Sequence, residues 1–257
     1  MDVSGTAGAT ARVAVAGGTG LLGRLVVEAL TARGDEPVVL ARSRGVDLTT
    51  GRGLDAALAG VEVVVDVSNV TTASRRTSER FFTAATQHLL AAAHRAGVRH
   101  LVAVSIVGAD TVDFGYYLGK RRQEELVAAG PVPWTVLRST QFHELAGQLV
   151  DRGFGPVVLV PRMASRPVAA REVAEHLVTL AHGEPQGFAV PVAGPEDHDT
   201  VDLVRRVVAA RGLRRLVVPL RVPGATGAAM AGGALVPRGD HVRGTTTFAE
   251  HLARETR

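Results

Sequence analysis

Val13-Ala14-Val15-Ala16-Gly17-Gly18-Thr19-Gly20-Leu21-Leu22-Gly23 decides how the rest of the chain is read. An apolar run of strand type breaks into glycines, and an amphipathic pattern starts directly behind them, predicting a helix from Leu21 to Ala32. Gly17, Gly20 and Gly23 keep a G-x-x-G-x-x-G spacing, and each meets a different demand. Gly17 lets the chain turn off the strand, Gly20 lets backbone N–H groups reach a pyrophosphate, and Gly23 lets the helix pack closely on the sheet. The helix start then points its partial positive charge at the phosphates. A glycine pattern alone is a weak signal. A strand before it and a helix after it make a nucleotide-binding turn, with Thr19, Leu21 and Leu22 as further contacts.

The 257 residues suffice for one large α/β domain with room for a small lobe. Apolar residues make up 46% with few aromatics, which suits a parallel sheet built from Val, Ala and Leu. Cysteine is absent, which excludes disulfides, thiolate metal sites and cysteine nucleophiles; no metal site is expected. Residues 1–10 are small and polar without the apolar stretch of a signal peptide, and read as a frayed tail. No apolar run approaches the ~18 residues that span a membrane. The expectation is a soluble cytoplasmic protein without a membrane partner. A net charge of +4 and a pI near 10.5 agree because the cations are almost all arginine. They are scattered in pairs such as Arg75-Arg76 and Arg205-Arg206, which suits a solvated surface and gives no nucleic-acid footprint.

Pro37 to Arg42 reads as the second strand. Its end carries Arg42 and Arg44 where an acidic residue would hold a ribose 2′-hydroxyl. A guanidinium pairs with a 2′-phosphate and a carboxylate repels it, so NADP(H) is expected over NAD(H). Asp47 then either accepts from an adenine amino group or serves a turn. Leu54 to Ala59 reads as a short helix and Val61 to Asn69 as a buried strand, whose end offers Ser68 and Asn69 to the cofactor. Asn69 equally suits a turn cap. A helix is expected from about Arg80 to Ala96, stopped by Gly97, followed by a strand from His100 to Ile106. This alternation predicts a doubly wound parallel sheet with right-handed crossovers.

Tyr116 and Lys120 stand four residues apart, one above the other on a helix face. An ammonium beside a phenol lowers its pKa and makes it a usable proton donor. Lys120 is the only lysine in the chain, placed where a compact ammonium could contact ribose hydroxyls and a phenol. Ser105 lies at the end of the His100–Ile106 strand, counted here as the fifth, on the edge where open α/β sheets bind ligands. Tyr117 is rotated away from Tyr116 and is the weaker donor candidate. Val132 to Arg138 is counted as the sixth strand, and Gln141, Phe142 and His143 leave its end where a substrate wall would sit. His143 either polarises a substrate oxygen or packs as an ordinary core residue. A strand near Val157–Val160, helices over 171–181 and 201–210, and a Gly-, Ala- and Pro-rich stretch from about Leu213 follow. That last stretch suits a mobile lid.

The glycine turn, the Ser105 strand end and Tyr116-x-x-x-Lys120 together resemble the short-chain dehydrogenase/reductase superfamily, and more narrowly its atypical, NmrA-like NAD(P)H-binding branch. The stretches Trp134 to Glu144, Arg166-Pro167-Val168 to Glu172-Val173-Ala174, and Gly244 to Phe248 resemble that branch too. The resemblance implies a Rossmann-like fold over 11–257, with about 141–165 and 185–257 forming a small C-terminal substrate lobe. It implies Tyr116 as proton donor, Lys120 as ribose ligand and tuner of the tyrosine, and Ser105 as the group orienting a carbonyl. The expected activity is NADPH-dependent reduction of a small molecule, a quinone or ketone such as an aromatic polyketide, by a monomer or homodimer. A non-catalytic NADP(H) sensor is the alternative. An epimerase or dehydratase on a nucleotide sugar is a third reading, disfavoured by the chain's length.

Overall fold

In β1 (Arg12–Ala16), Val13 and Val15 point to one side, Ala14 and Ala16 to the other, and all four are buried. A strand apolar on both faces needs cover on both, which dictates a three-layer arrangement. The computed structural model describes residues 10–153 and 155–255. The tail expected over 1–10 lies outside them except for Thr10, which is exposed. β2 (Glu36–Leu40), β3 (Val63–Asp66), β4 (His100–Ile106) and β5 (Trp134–Ser139) join β1 in parallel, in the order β2-β1-β3-β4-β5. Ala16 pairs with Leu40 on one side and Asp66 on the other, and Ile106 pairs with Ser139. Gly17, Val67, Val107 and Thr140 therefore leave the same edge of the sheet.

The connections are α1 (Leu21–Ala32), α2 (Leu54–Ala57), α3 (Arg75–Arg95) and α4 (Gly115–Ala128). Beyond β5 come α5 (Glu144–Arg152), β6 (Val157–Pro161), β7 (Ala164–Ser165) and α6 (Ala170–His182). Val26 and Leu30 of α1 and Val173 and Leu177 of α6 close on Val13, Val15 and Val104. Leu54, Leu89, Ala93 and Val127, from α2, α3 and α4, close on Ala14, Val64 and Ala103 on the opposite face. Full burial of each such Leu or Val contributes about 1.5–3 kcal/mol. The result is a Rossmann-like, doubly wound α/β fold.

Several boundaries differ from the sequence reading. Residues 42–52 form a 3₁₀ turn over Arg42–Arg44 and an isolated bridge between Asp47 and Arg52. Positive-φ glycines at 45 and 51 interrupt the extended backbone there. Only β1, β2 and β3 precede His100–Ile106, so that strand is the fourth rather than the fifth, and Trp134–Ser139 is the fifth rather than the sixth. β3 is only four residues long, so Ser68 and Asn69 lie in the loop beyond it. α3 starts at Arg75 because the Ser74 hydroxyl accepts from Thr77 N at 3.3 Å.

The strand near 157–160 exists as β6 but stands outside the main sheet. β8 (Gly187–Phe188) and β9 (Val192–Ala193) add to β5, and β10 (His198–Asp199) pairs with β7. After α7 (Thr200–Ala210), β11 (Leu216–Leu220) pairs in parallel with β6. α8 (Gly224–Ala231), β12 (Val242–Arg243), beside β9, and α9 (Phe248–Glu255) end the described chain. Val150, Val158, Val160, Val204, Val207 and Phe248 form a separate apolar cluster beneath these elements. Among the described residues no helix is long and apolar enough to cross a membrane.

Candidate active site

The glycine turn occupies the switch point where β1 has β2 on one side and β3 on the other. Gly17 has φ +79°, and a Cβ there would lie 2.9 Å from Ser68 Cα. At Gly23 a Cβ would strike Gly17 O and lie 2.6 Å from Gly18 Cα, so α1 starts flush against the loop. Gly20 N–H donates to Gly17 O at 2.9 Å, and Gly20 caps α1 without a side chain. The first-turn N–H groups at Leu21, Leu22 and Gly23 have no acceptor within the helix and form an anion cradle beside Thr19. The Arg24 guanidinium donates to Thr19 O at 3.0 Å, adding a cation at the loop.

Arg42 and Arg44 lie on the 3₁₀ turn behind β2, exposed and, among the described residues, in no ion pair. No carboxylate stands at the end of β2. Asp47 Oδ1 accepts from Thr49 N (2.9 Å) and Thr49 Oγ1 (2.7 Å). These bonds hold its carboxyl below the usual range, and they belong to the turn that the sequence left open beside an adenine contact.

Tyr116, in the first turn of α4, is half-buried, and its hydroxyl donates to Asn69 Oδ1 at 2.8 Å. Burial and the neighbouring Tyr117 raise its pKa above the ordinary tyrosine value, which the Asn69 contact only partly offsets. The sequence led to the opposite expectation, a phenol tuned downward by Lys120. The reason for the difference is where the ammonium points. Lys120 Nζ donates to Val104 O (2.9 Å) and Gln123 Oε1 (2.8 Å) and sits 4.7 Å from the centre of the Phe82 ring. Burial pulls its pKa down to about 8, against the attraction of Asp66 and Glu124. Gln123 Nε2 in turn donates to Asp66 Oδ2 at 2.8 Å, and Asp66 Oδ1 accepts from Ser68 N at 2.9 Å. Ser68 Oγ and Ser105 Oγ are buried at the same sheet edge, and neither has a hydrogen-bond partner among the described residues.

Beyond β5, Gln141 Oε1 accepts from Ser165 Oγ at 3.1 Å, and its Nε2 is buried. Phe142 packs against the α1 and α6 side of the core and bridges Val168 through its backbone. His143 is buried, engages Thr246 O through Nε2 at 3.0 Å, and packs against the rings of Phe248 and His251. That is the packed arrangement the sequence weighed beside a substrate contact. Desolvation takes its pKa down to about 4, leaving a neutral imidazole. Among the described residues no group of three His, Asp or Glu is arranged to hold a metal.

Sequence reasoning missed Asp66, Gln123 and Glu172. Glu172 Oε1 accepts from the N–H and hydroxyl of both Thr245 and Thr246, at 2.8–3.0 Å, fastening the C-terminal stretch to α6. A carboxylate ending an otherwise apolar strand, as Asp66 does, must find a partner, and that was the available signal.

The site fits a dinucleotide: Gly17 and Gly23 leave no room for a Cβ, and the buried Ser68 and Ser105 hydroxyls at the sheet edge have no partner among the described residues. Residues 42–184 match a family described as NAD(P)H-binding. A (4-alkanoyl-5-oxo-2,5-dihydrofuran-3-yl)methyl phosphate reductase of Streptomyces griseus is 31% identical over 204 residues, covering 72% of this chain and 68% of that protein. In fold, the chain is similar to the NADPH-dependent quinone oxidoreductase of Escherichia coli complexed with NADPH (TM-score 0.70, 18% identity, 95% and 100% of the two chains). It is similar also to the Citrobacter sp. triphenylmethane reductase complexed with NADP(H) (TM-score 0.69, 16% identity, 95% and 99%). The chain belongs to the NAD(P)H-binding family of atypical short-chain dehydrogenases/reductases and is an NAD(P)H-dependent oxidoreductase.

Proposed function

We propose that the protein uses NADPH to reduce a conjugated carbonyl compound, a quinone or ketone, with Tyr116 as proton donor. The observation that carries this reading is the neutral Tyr116 phenol held by Asn69 at the sheet edge that also carries the glycine turn. The phenol is protonated at neutral pH and stands where it can give that proton to a developing oxyanion, the transfer that reduction of a carbonyl requires.

The dinucleotide, when bound, supplies the hydride. The N–H groups of Thr19 and of α1's first turn would hold its pyrophosphate, and Arg42 and Arg44 would pair with a 2′-phosphate. Lys120 would serve the nicotinamide ribose with its remaining N–H, and Ser105 Oγ would orient the acceptor oxygen. Tyr117, Met163, Met230 and Leu235 form an apolar cluster with Ile106 and Leu145 beside Tyr116. This cluster supports reading 141–165 and 185–257 as the lobe that receives a flat, apolar acceptor, with Gln141 as its polar contact. The Streptomyces griseus reductase is named for an unsaturated lactone bearing an alkanoyl group, which shares with quinones a double bond conjugated to a carbonyl.

The test is consumption of NADPH and NADH with a panel of quinones, aromatic ketones and unsaturated lactones. Turnover with NADPH at least tenfold more efficient than with NADH supports the reading. Tight NADPH binding without reduction of any of these acceptors would overturn the proposed acceptor class.

A further inference from the structure

Lys120, Gln123 and Asp66 are 3%, 1% and 1% exposed, and they form one uninterrupted chain from α4 to β3. The orientation of the amide between them is fixed by chemistry: an ammonium only donates and an ionised carboxylate only accepts, so Oε1 must face Lys120 and Nε2 must face Asp66. The remaining carboxylate oxygen takes the Ser68 N–H, one residue before the Asn69 that accepts from Tyr116. We propose that Gln123 is the positioning residue of this site. Its amide passes the pull of the Asp66 carboxylate to the Lys120 ammonium and ties that ammonium to the Ser68–Asn69 turn holding the Tyr116 hydroxyl.

The surroundings of Lys120 leave this route as its principal support. From β4 it meets the neutral Val104 carbonyl, and from α3 the Phe82 ring. Tyr116, one turn earlier on α4, is neutral. Glu124, the next carboxylate on α4, is taken by a bidentate pair with Arg138 of β5 at 2.9 and 2.7 Å, and Arg138 also pairs with Asp110. Asp66 is thus the carboxylate whose charge reaches Lys120 without a guanidinium already on it, and it reaches Lys120 through Gln123. Gln123 Oε1 takes one N–H of the ammonium and Val104 O a second, which leaves the third for a ligand; a direct ion pair with two carboxylate oxygens would occupy it. The functional consequence rests on the reading of Lys120 as ribose ligand; the linkage itself does not.

Because Lys120 is the only lysine, protein labelled with [13Cε]lysine gives one side-chain signal, which can be titrated directly. Gln123→Leu is expected to lower the titration midpoint by about one pH unit, a tenfold change in proton affinity, and Gln123→Glu to raise it by at least as much. Asp66→Asn is the second variant, expected to lower the midpoint should Gln123→Leu fail to fold. A midpoint unmoved in the folded variants overturns the proposal. NADPH affinity at pH 6.5 and 8.5 separates the two readings. Gln123→Leu should weaken binding about tenfold more at the higher pH, and Lys120→Met should weaken it at both. A moved midpoint with wild-type affinities in both variants would uphold the Gln123 linkage and overturn the assignment of Lys120 to the cofactor.

Discussion

The Tyr116 hydroxyl donates to Asn69 Oδ1 over 2.8 Å, joining the first turn of α4 to the loop that leaves β3. Asn69 Oδ1 also accepts its neighbour's N–H, that of Val70, at 2.8 Å, so the acceptor is itself held in place. Asn69→Ala should leave the phenol free to rotate and lower kcat about 5–10-fold, the worth of one neutral hydrogen bond. The NADPH dissociation constant should change less than threefold. Steady-state kinetics beside fluorescence titration of NADPH checks both halves.

Gly23→Ala is expected to be far more harmful than an alanine in a helix usually is. The added methyl meets backbone atoms of Gly17 and Gly18, which cannot swing aside as a side chain would. Overpacking of this kind costs about 1–3 kcal/mol. Thermal denaturation with and without NADPH should show a lowered midpoint and little stabilisation by the cofactor.

Arg42 and Arg44 predict cofactor choice. A charge-assisted pair to a phosphate contributes about 1.5–3 kcal/mol. The double variant Arg42→Glu, Arg44→Glu, which removes two such pairs, should therefore lose about 10²–10⁴-fold in kcat/KM with NADPH. With NADH the change should stay within about threefold. Equal losses with both cofactors would remove these residues from 2′-phosphate recognition.

His143 predicts an acid limb in stability. Its pKa falls from the ordinary 6.5 to about 4 on folding, because burial disfavours the imidazolium. Below the unfolded value the unfolded chain binds the extra proton, so stability is full above about pH 6.5 and is lost as pH falls toward 4. The loss amounts to a few kcal/mol at the acid end. Urea midpoints for wild type and His143→Gln at pH 7.5 and 5.0 should show a smaller pH difference in the variant.

Glu172→Ala should release the C-terminal stretch. Four donors of Thr245 and Thr246 lose one shared acceptor, at about 1–3 kcal/mol for each one left without solvent. Limited proteolysis should cut near Gly244–Thr247 in the variant well before it does so in wild type.

How much of this was legible follows from how local each demand is. The glycine turn could be read because every glycine answers to atoms within a few residues or to the adjoining strand, and Gly17 and Gly23 behave as the spacing implied. Lys120 drew attention because it is the only lysine, yet its direction was not legible. Tyr116 four residues before it suggested a contact, whereas Val104 O and Gln123 compete for the same ammonium. Gln123 itself has no local signature, since its meaning depends on Asp66, 57 residues earlier. The clasp of Glu172 on Thr245 and Thr246 spans 73 and 74 residues, and no periodicity reports a contact of that range.

The most direct test of the account is reduction of an aromatic ketone by NADPH in wild type and Tyr116→Phe, with NADPH affinity measured on the same samples. A ketone is chosen because its oxyanion needs a proton that a quinone can take from solvent. The account predicts a 10²–10⁴-fold lower kcat in Tyr116→Phe with NADPH binding retained. Equal ketone turnover in the two proteins would contradict it and remove Tyr116 from the chemistry.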